Sequence, residues 1–238
     1  MIDTVQPGGS VFKAAAKYSV PVLLGYVALG SAFGLLVVDT GYPWWLSPVM
    51  SLIMFAGAGQ FIAVGLFAAG IGLWEAALVQ LVVNARHIAY GFSMFKRFSA
   101  AGAAKYYLAF GMTDETFALL SSMPENAGGN PKKFMLWVTA MNQFYWVFGS
   151  TLGAIIGSLI PFNIEGVGFA LTALFVVLMI EQMLKMRKPG IFVISALSAV
   201  LGVVLLPPRM ALLAAIVLAL LLAFGMARFA DKNRGAAP

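Results

Sequence analysis

Apolar residues fall in eight runs along this chain: Val20–Val38, Pro48–Gly70, Leu73–Phe95, Tyr106–Met123, Phe134–Ile160, Val167–Leu184, Ile191–Leu206 and Ala211–Ala227. Most have the length, about 17 to 25 residues, that carries an α-helix through the hydrocarbon core of a bilayer. The runs are not alike. Pro48–Gly70 is broken in its middle by Gly57-Ala58-Gly59-Gln60, and Tyr106–Met123 by Thr113-Asp114-Glu115. An unwound stretch at membrane depth must line protein or water, because lipid satisfies no backbone group. Both are therefore expected to be broken or re-entrant helices with backbone breaks at Gly57 and Gly59 in the first. Small residues recur every four positions at Gly30 and Gly34, and again at Gly149, Gly153 and Gly157. These are expected to be faces where another helix packs closely.

The positive charges test how the runs are threaded. With the N-terminus in the cytoplasm and both interrupted runs dipping in and returning, the cytoplasmic side receives Lys13, Lys17, Lys96, Arg97, Lys105, Lys132, Lys133, Lys185, Arg187, Lys188, Arg228, Lys232 and Arg234. Only Arg209 among the loop cations falls outside, a strong positive-inside asymmetry. The fold expected is an all-α integral membrane protein, a polytopic helical bundle with six full spans plus two broken or re-entrant helices. The alternative makes both interrupted runs full spans, giving eight, and moves Lys96, Arg97 and Lys105 outside. A single cysteine at Ala101 would separate the two by sidedness of labelling. The expected organisation is a cytoplasmic arm over 1–19, one transmembrane domain over 20–227, and a basic cytoplasmic tail over 228–238.

Composition agrees with the pattern: 61% hydrophobic, 10% charged, mean hydropathy +0.92. Soluble domains carry roughly 25% charged residues. The net charge of +6 lies in short clusters between apolar runs, so it reads as orientation in the bilayer and not as a nucleic-acid surface. Cysteine is absent and His87 is the only histidine, which leaves no thiolate or paired-histidine metal site. No phosphate-binding glycine loop is present, and the adjacent pair Asp114 and Glu115 is poorly placed for two carboxylates to face one scissile bond. No enzyme, cofactor or metal is expected.

Candidate chemistry concentrates in the polar positions inside the runs. An ionisable side chain at membrane depth is costly and points to function. On one helix Gln80, Asn84 and His87 share a face, continued by Gly91, while Arg86 points about 100° away from His87 and stacks over Tyr90. Arg86 is expected either to receive a carboxylate or to pair with a buried acid, and His87 to sense or relay protons. The plainer readings are that Arg86 ties two helices together and that His87 is a satisfied interhelical hydrogen-bonder. Asp114 and Glu115 are the counter-charges: one pairs with Arg86 while the other faces a cavity, or else the pair supplies a capping acid at a helix start after Thr113. Gln60 offers an amide beside backbone N–H groups that can hold an anion at a half-helix start. Asn142 and Gln143 belong either to the pathway or to the glue between helices.

Taken together, Gly25 through Gly34, Phe55-Ala56-Gly57-Ala58-Gly59-Gln60-Phe61, Asn84-x-Arg86-His87-x-x-Tyr90 and Thr113-Asp114-Glu115-x-Phe117 resemble the AzlC family, the large subunit of bacterial branched-chain amino acid exporters. The resemblance implies an inner-membrane exporter of valine, leucine, isoleucine and methionine or toxic analogues, working with a small AzlD-type membrane subunit. Such a substrate needs a carboxylate partner, an ammonium partner and an apolar slot. Arg86 or backbone N–H groups near Gly57 to Gln60 are expected to take the carboxylate, Asp114 or Glu115 the ammonium, and Phe55, Phe61, Tyr90 and Phe117 to shape the slot. Proton coupling through His87 or an acid would drive export. A passive facilitator for small polar solutes and a non-transporting membrane scaffold are the rival functions.

Overall fold

The computed structural model describes residues 10–159 apart from 125, residues 189–206, and isolated positions between 176 and 222. Every described regular element is helical. The helices are α1 (Val11–Asp39), α2 (Leu46–Ile53), α3 (Ala58–Ala68), α4 (Leu73–Asn84), α5 (Arg86–Ser99), α6 (Ala104–Phe110), α7 (Asp114–Ser121), α8 (Pro131–Leu159) and α9 (Pro189–Leu205). The tail 228–238 and most of the expected spans Val167–Leu184 and Ala211–Ala227 lie outside the described residues.

Two compact units divide the chain, one of residues 1–70 and 83–170, the other of 71–82 and 171–238. In the second unit Val79 and Ser198 are buried, and Leu73, Trp74, Leu81, Val193, Leu197 and Val203 are exposed apolar side chains. The polar residues that matter most lie in the first unit.

Its frame is the pair α1 and α8, each 29 residues and hence about 44 Å long. Among the described helices, α1 alone is long and apolar enough to cross a bilayer by length and hydropathy. It begins at Val11 and runs through Pro21, so residues 11–19 of the expected N-terminal arm are continuous with the first helix. The start of α8 is written in Asn130-Pro131: the Asn130 side chain accepts from the Lys133 N–H at 3.0 Å, and Pro131 sits where its missing N–H costs nothing.

The glycines explain how closely the two helices approach. A Cβ at Gly30 would lie 2.9 Å from the Ser150 nitrogen, and one at Gly149 would lie 2.8 Å from the Tyr26 and Val27 oxygens. At Gly34 and Gly153 it would run into the facing backbone, and Gly157 meets Leu35. Backbone therefore packs directly on backbone along this seam, where dispersion contacts replace the hydrophobic effect that lipid cannot supply. Ser31 adds a hydrogen bond to the Gly149 carbonyl at 3.1 Å.

Two interrupted helices pack on this frame, α2–α3 and α6–α7. The first break differs from the expectation. Gly59 and Gln60 are already inside α3, and the unwound residues are Phe55 to Gly57. The turn is made at Phe55, φ 39°, and Gly57, φ 49°, so the break includes the expected Gly57 and extends upstream of it, while Gly59 is helical. In the second interrupted helix the unwound residues are Gly111 to Thr113, and Asp114 opens α7. The run Leu73–Phe95 also divides, into α4 and α5 at Ala85, and the boundary between the two units falls within α4, with Gln80 in one unit and Asn84 and His87 in the other.

A second apolar cluster closes the end of this unit near the α5–α6 junction, built from Ala15, Met94, Phe98, Ala101, Leu108, Met112, Leu120 and Phe134 among others. Ala101 is 0% exposed, so a labelling cysteine belongs at exposed Ala103 instead. Arg97 donates to the Leu120 carbonyl at 2.5 Å, satisfying the last turn of α7.

Candidate functional site

The first turn of α7 gathers the ionisable side chains. Thr113 caps the helix, its hydroxyl oxygen accepting from the Thr116 N–H at 3.2 Å, and this fixes Asp114 and Glu115 in the turn behind it. Adjacent residues on a helix diverge by about 100°. The two acids accordingly meet different partners.

Asp114 faces α5. Its Oδ2 lies 2.6 Å from Arg86 Nη1, and its Oδ1 accepts from the Tyr90 hydroxyl at 2.6 Å. The Arg86 and Asp114 side chains are 33% and 34% exposed, so the pair is only partly covered by the rest of the protein. Arg86 Nε is buried without a hydrogen-bond partner. Tyr90 stacks on Phe117 with ring centroids 4.3 Å apart and planes 11° from parallel, which puts a flat apolar surface beside the ion pair. His87 is next to this group without joining it: its Nδ1 is 2.9 Å from the Asn84 carbonyl, and its ring meets Tyr90 edge-on at 5.6 Å.

Glu115 faces α1. Its Oε2 accepts from the Tyr26 hydroxyl at 2.7 Å, and the same hydroxyl is 2.5 Å from Thr113 Oγ1. Thr113 Oγ1 and Thr116 Oγ1 are 3.0 Å apart, and Thr116 Oγ1 accepts from Asn142 Nδ2 on α8 at 3.0 Å. Tyr26, Thr113, Thr116 and Asn142 are all buried. Tyr26 was not among the residues the sequence singled out. The available signal was a lone tyrosine in an apolar run, whose hydroxyl needs a partner when buried.

The first break has a different character. Gln60 is fully buried; its Oε1 accepts from Trp146 Nε1 at 2.8 Å and from the Ala56 N–H at 3.2 Å, and its Nε2 donates to Ser51 at 3.2 Å. Ser51 in turn meets the Ser150 hydroxyl at 2.8 Å. Phe55 and Phe61 are buried here too, Phe55 against Tyr26 and Phe61 against Phe33 and Trp146. They do not join Tyr90 and Phe117. Gln143 is occupied as well, accepting from the Tyr107 hydroxyl at 2.8 Å and donating to the Leu52 carbonyl at 3.3 Å. Of the sequence candidates, then, the structure brings together Arg86, Tyr90, Asp114 and Phe117, with Glu115 and Asn142 joined behind them through Tyr26 and the threonines. Among the described residues, no three His, Cys, Asp or Glu side chains are grouped as a metal site would require.

The family model described as AzlC protein matches residues 21–160, which span both breaks, α8 and α1 from Pro21 onward. The chain is 41% identical over 171 residues to an uncharacterized membrane protein of Helicobacter pylori, covering 72% of this chain and 75% of that protein. It is 37% identical over 179 residues to the branched-chain amino acid transport protein AzlC of Bacillus subtilis, covering 75% of this chain and 70% of that one. To the inner membrane protein YgaZ of Escherichia coli it is 34% identical over 221 residues, 89% of each. No solved structure matches the chain.

Proposed function

The chain belongs to the AzlC family, and from that premise we propose that it is a secondary transporter that exports branched-chain amino acids across the inner membrane, driven by protons, together with a small AzlD-type membrane subunit. The observation that carries the reading is the Arg86–Asp114 pair at the mouth of a helix break. Two opposite charges closed on each other are tolerable in a low-dielectric setting, whereas either one alone is not. An amino acid zwitterion presents the same two charges. It can part the pair and replace it, its carboxylate on the Arg86 guanidinium and its ammonium on Asp114, without leaving a charge unpaired at any stage. Arg86 Nε, buried and unpartnered, is an additional donor for the incoming carboxylate. The stacked rings of Tyr90 and Phe117 supply the apolar surface for a branched side chain.

In this reading Gln60, Phe55 and Phe61 hold the first break in shape and touch no substrate, because their groups are already engaged by protein. The topology that accompanies it has six spans, two re-entrant helices and both termini in the cytoplasm.

The test is valine efflux from cells loaded with a valine-containing dipeptide, with and without the small subunit. Arg86→Ala and Asp114→Asn are expected to abolish efflux while leaving the protein in the membrane. Near-normal efflux from either variant removes that residue from the site. Efflux that is unchanged when the proton gradient is collapsed favours a passive facilitator, and rescue by the swap Arg86→Asp with Asp114→Arg favours a purely structural pair.

A further inference from the structure

Glu115 and Tyr26 play no part in holding the zwitterion, yet they sit at the end of a buried chain of hydroxyls. The chain runs Glu115 Oε2, Tyr26 OH, Thr113 Oγ1, Thr116 Oγ1, with successive separations of 2.7, 2.5 and 3.0 Å, and it ends on the amide of Asn142. Two proton arrangements bear on the chain, one with Glu115 ionised and one with its proton on Oε2, the oxygen that faces Tyr26. When Glu115 is ionised, its carboxylate only accepts. The three hydroxyls must then all point toward it: Thr116 to Thr113, Thr113 to Tyr26, Tyr26 to Glu115. Three contacts use three protons, and Thr116 accepts from the Asn142 amide hydrogen.

When Glu115 carries a proton, the order reverses. Glu115 donates to Tyr26, Tyr26 to Thr113, and Thr113 to Thr116, which leaves the Thr116 proton in need of an acceptor beyond the chain. Asn142 holds one: its Oδ1 is buried and has no hydrogen-bond partner. A half-turn of the amide brings that oxygen to Thr116. The unsatisfied atom on α8 is thus the acceptor the protonated state requires, and it is idle when the amide presents its nitrogen.

We infer that Glu115 is the residue that takes up the coupled proton, and that Tyr26, Thr113 and Thr116 transmit its protonation to Asn142 as a reversal of hydrogen-bond direction linking α7, α1 and α8. The inference rests on the transport reading above and assigns its coupling group. Uptake adds one proton to a carboxylate oxygen of Glu115; each hydroxyl turns its own O–H bond toward the next oxygen, and no other covalent bond forms or breaks. Release runs the same turns backward. The titratable and charged groups around Glu115 are Tyr26 from α1, Arg86 and Tyr90 from α5, and Asp114 from its own helix; α8 presents neutral Asn142. Asp114 is held by both a cation and a hydroxyl, which keeps it as the substrate's partner. Glu115, with a hydroxyl alone, is the acid of the two that can gain a proton without parting an ion pair. Tyr26 and Thr113 are positioning residues, since they act through Glu115.

Valine flux in inside-out vesicles carrying the chain and the small subunit tests the assignment. Glu115→Gln, which fixes the donor arrangement, is expected to retain valine counterflow but to lose acceleration by an imposed proton gradient and to flatten the pH profile. Thr116→Val and Tyr26→Phe cut the chain while leaving both acids and the Thr113 cap in place, and are expected to weaken both responses, with counterflow persisting. A second readout needs no substrate. Infrared difference spectra of the purified protein between neutral and acid pH should contain a carboxyl C=O band that Glu115→Gln removes and Tyr26→Phe shifts. Gradient-driven flux surviving in Glu115→Gln, wild-type pH profiles in both chain-cutting variants, or an infrared band untouched by Glu115→Gln would each overturn the proposal. If wild-type vesicles show no valine counterflow, the transport reading fails, and the infrared band still decides whether Glu115 titrates through this chain.

Discussion

Two helices are interrupted against the same α1–α8 pair, and their breaks are made of opposite materials. At Phe55–Gly57 the break is neutral and closed: Gln60 is buried, its oxygen takes two donors, and aromatic rings from α1, α3 and α8 fill the space around it. At Gly111–Thr113 it is charged and partly open, with Arg86 and Asp114 a third exposed. Unwinding a helix frees backbone groups in both places, but the second break, unlike the first, has a partly exposed ion pair beside it, which is why the proposal places the substrate there. Position on a broken helix is therefore insufficient to make a residue a ligand. What matters is whether its hydrogen bonds end inside the protein.

The contrast can be broken by substitution, and the largest effect is expected at the open break. Asp114→Asn and Arg86→Ala each remove one half of the pair and strand the other; valine efflux should fall by at least ~100-fold, with membrane levels of the protein maintained. Gln60→Leu tests the closed break. It strands the Trp146 and Ala56 N–H donors, so it should destabilise the protein by about 3 kcal/mol, seen as a lower thermal midpoint in detergent. Efflux per folded molecule should stay within about threefold of wild type, since the altered group meets no substrate. A Gln60→Leu protein of normal stability but without transport would reverse the two roles.

Smaller effects sharpen the picture. Phe117→Ala removes the stacked partner of Tyr90 and should weaken apparent valine affinity about 3- to 10-fold, with less effect on flux at saturation. His87→Gln should change efflux by no more than about twofold, because the imidazole bonds to a backbone carbonyl one turn away and reaches neither acid. A strong transport defect in His87→Gln would return it to the pathway.

Much of this architecture is written locally and is readable as such. Thr113 before two acids is a helix start, Asn130-Pro131 is another, and the fourfold spacing of Gly30, Gly34, Gly149 and Gly153 marks faces built for close approach. That those two faces meet each other is a matter of tertiary structure, separated by more than a hundred residues. The same holds for Tyr26, whose hydroxyl finds Glu115 89 positions away. At the first break glycine content marks Gly57 as a place where the chain is free to turn, and it does turn there; that the turn begins at Phe55, a bulky residue at positive φ, and that Gly59 stays helical are not written in the glycines. The division at Ala85 carries no glycine or proline to announce it. Gln60 and Gln143 read as pathway amides for the same reason: a sequence shows that an amide is present in an apolar run, and only the fold shows that its partners are already in place.

The most direct test of the claim that the charged break alone takes the substrate is ligand-dependent thermal stabilisation of the purified protein. Valine should raise the thermal midpoint of the wild type and, from a lower starting point, of Gln60→Leu, and should leave Asp114→Asn unmoved. A valine shift in Asp114→Asn equal to that of the wild type, or its loss in a folded Gln60→Leu, would contradict the account.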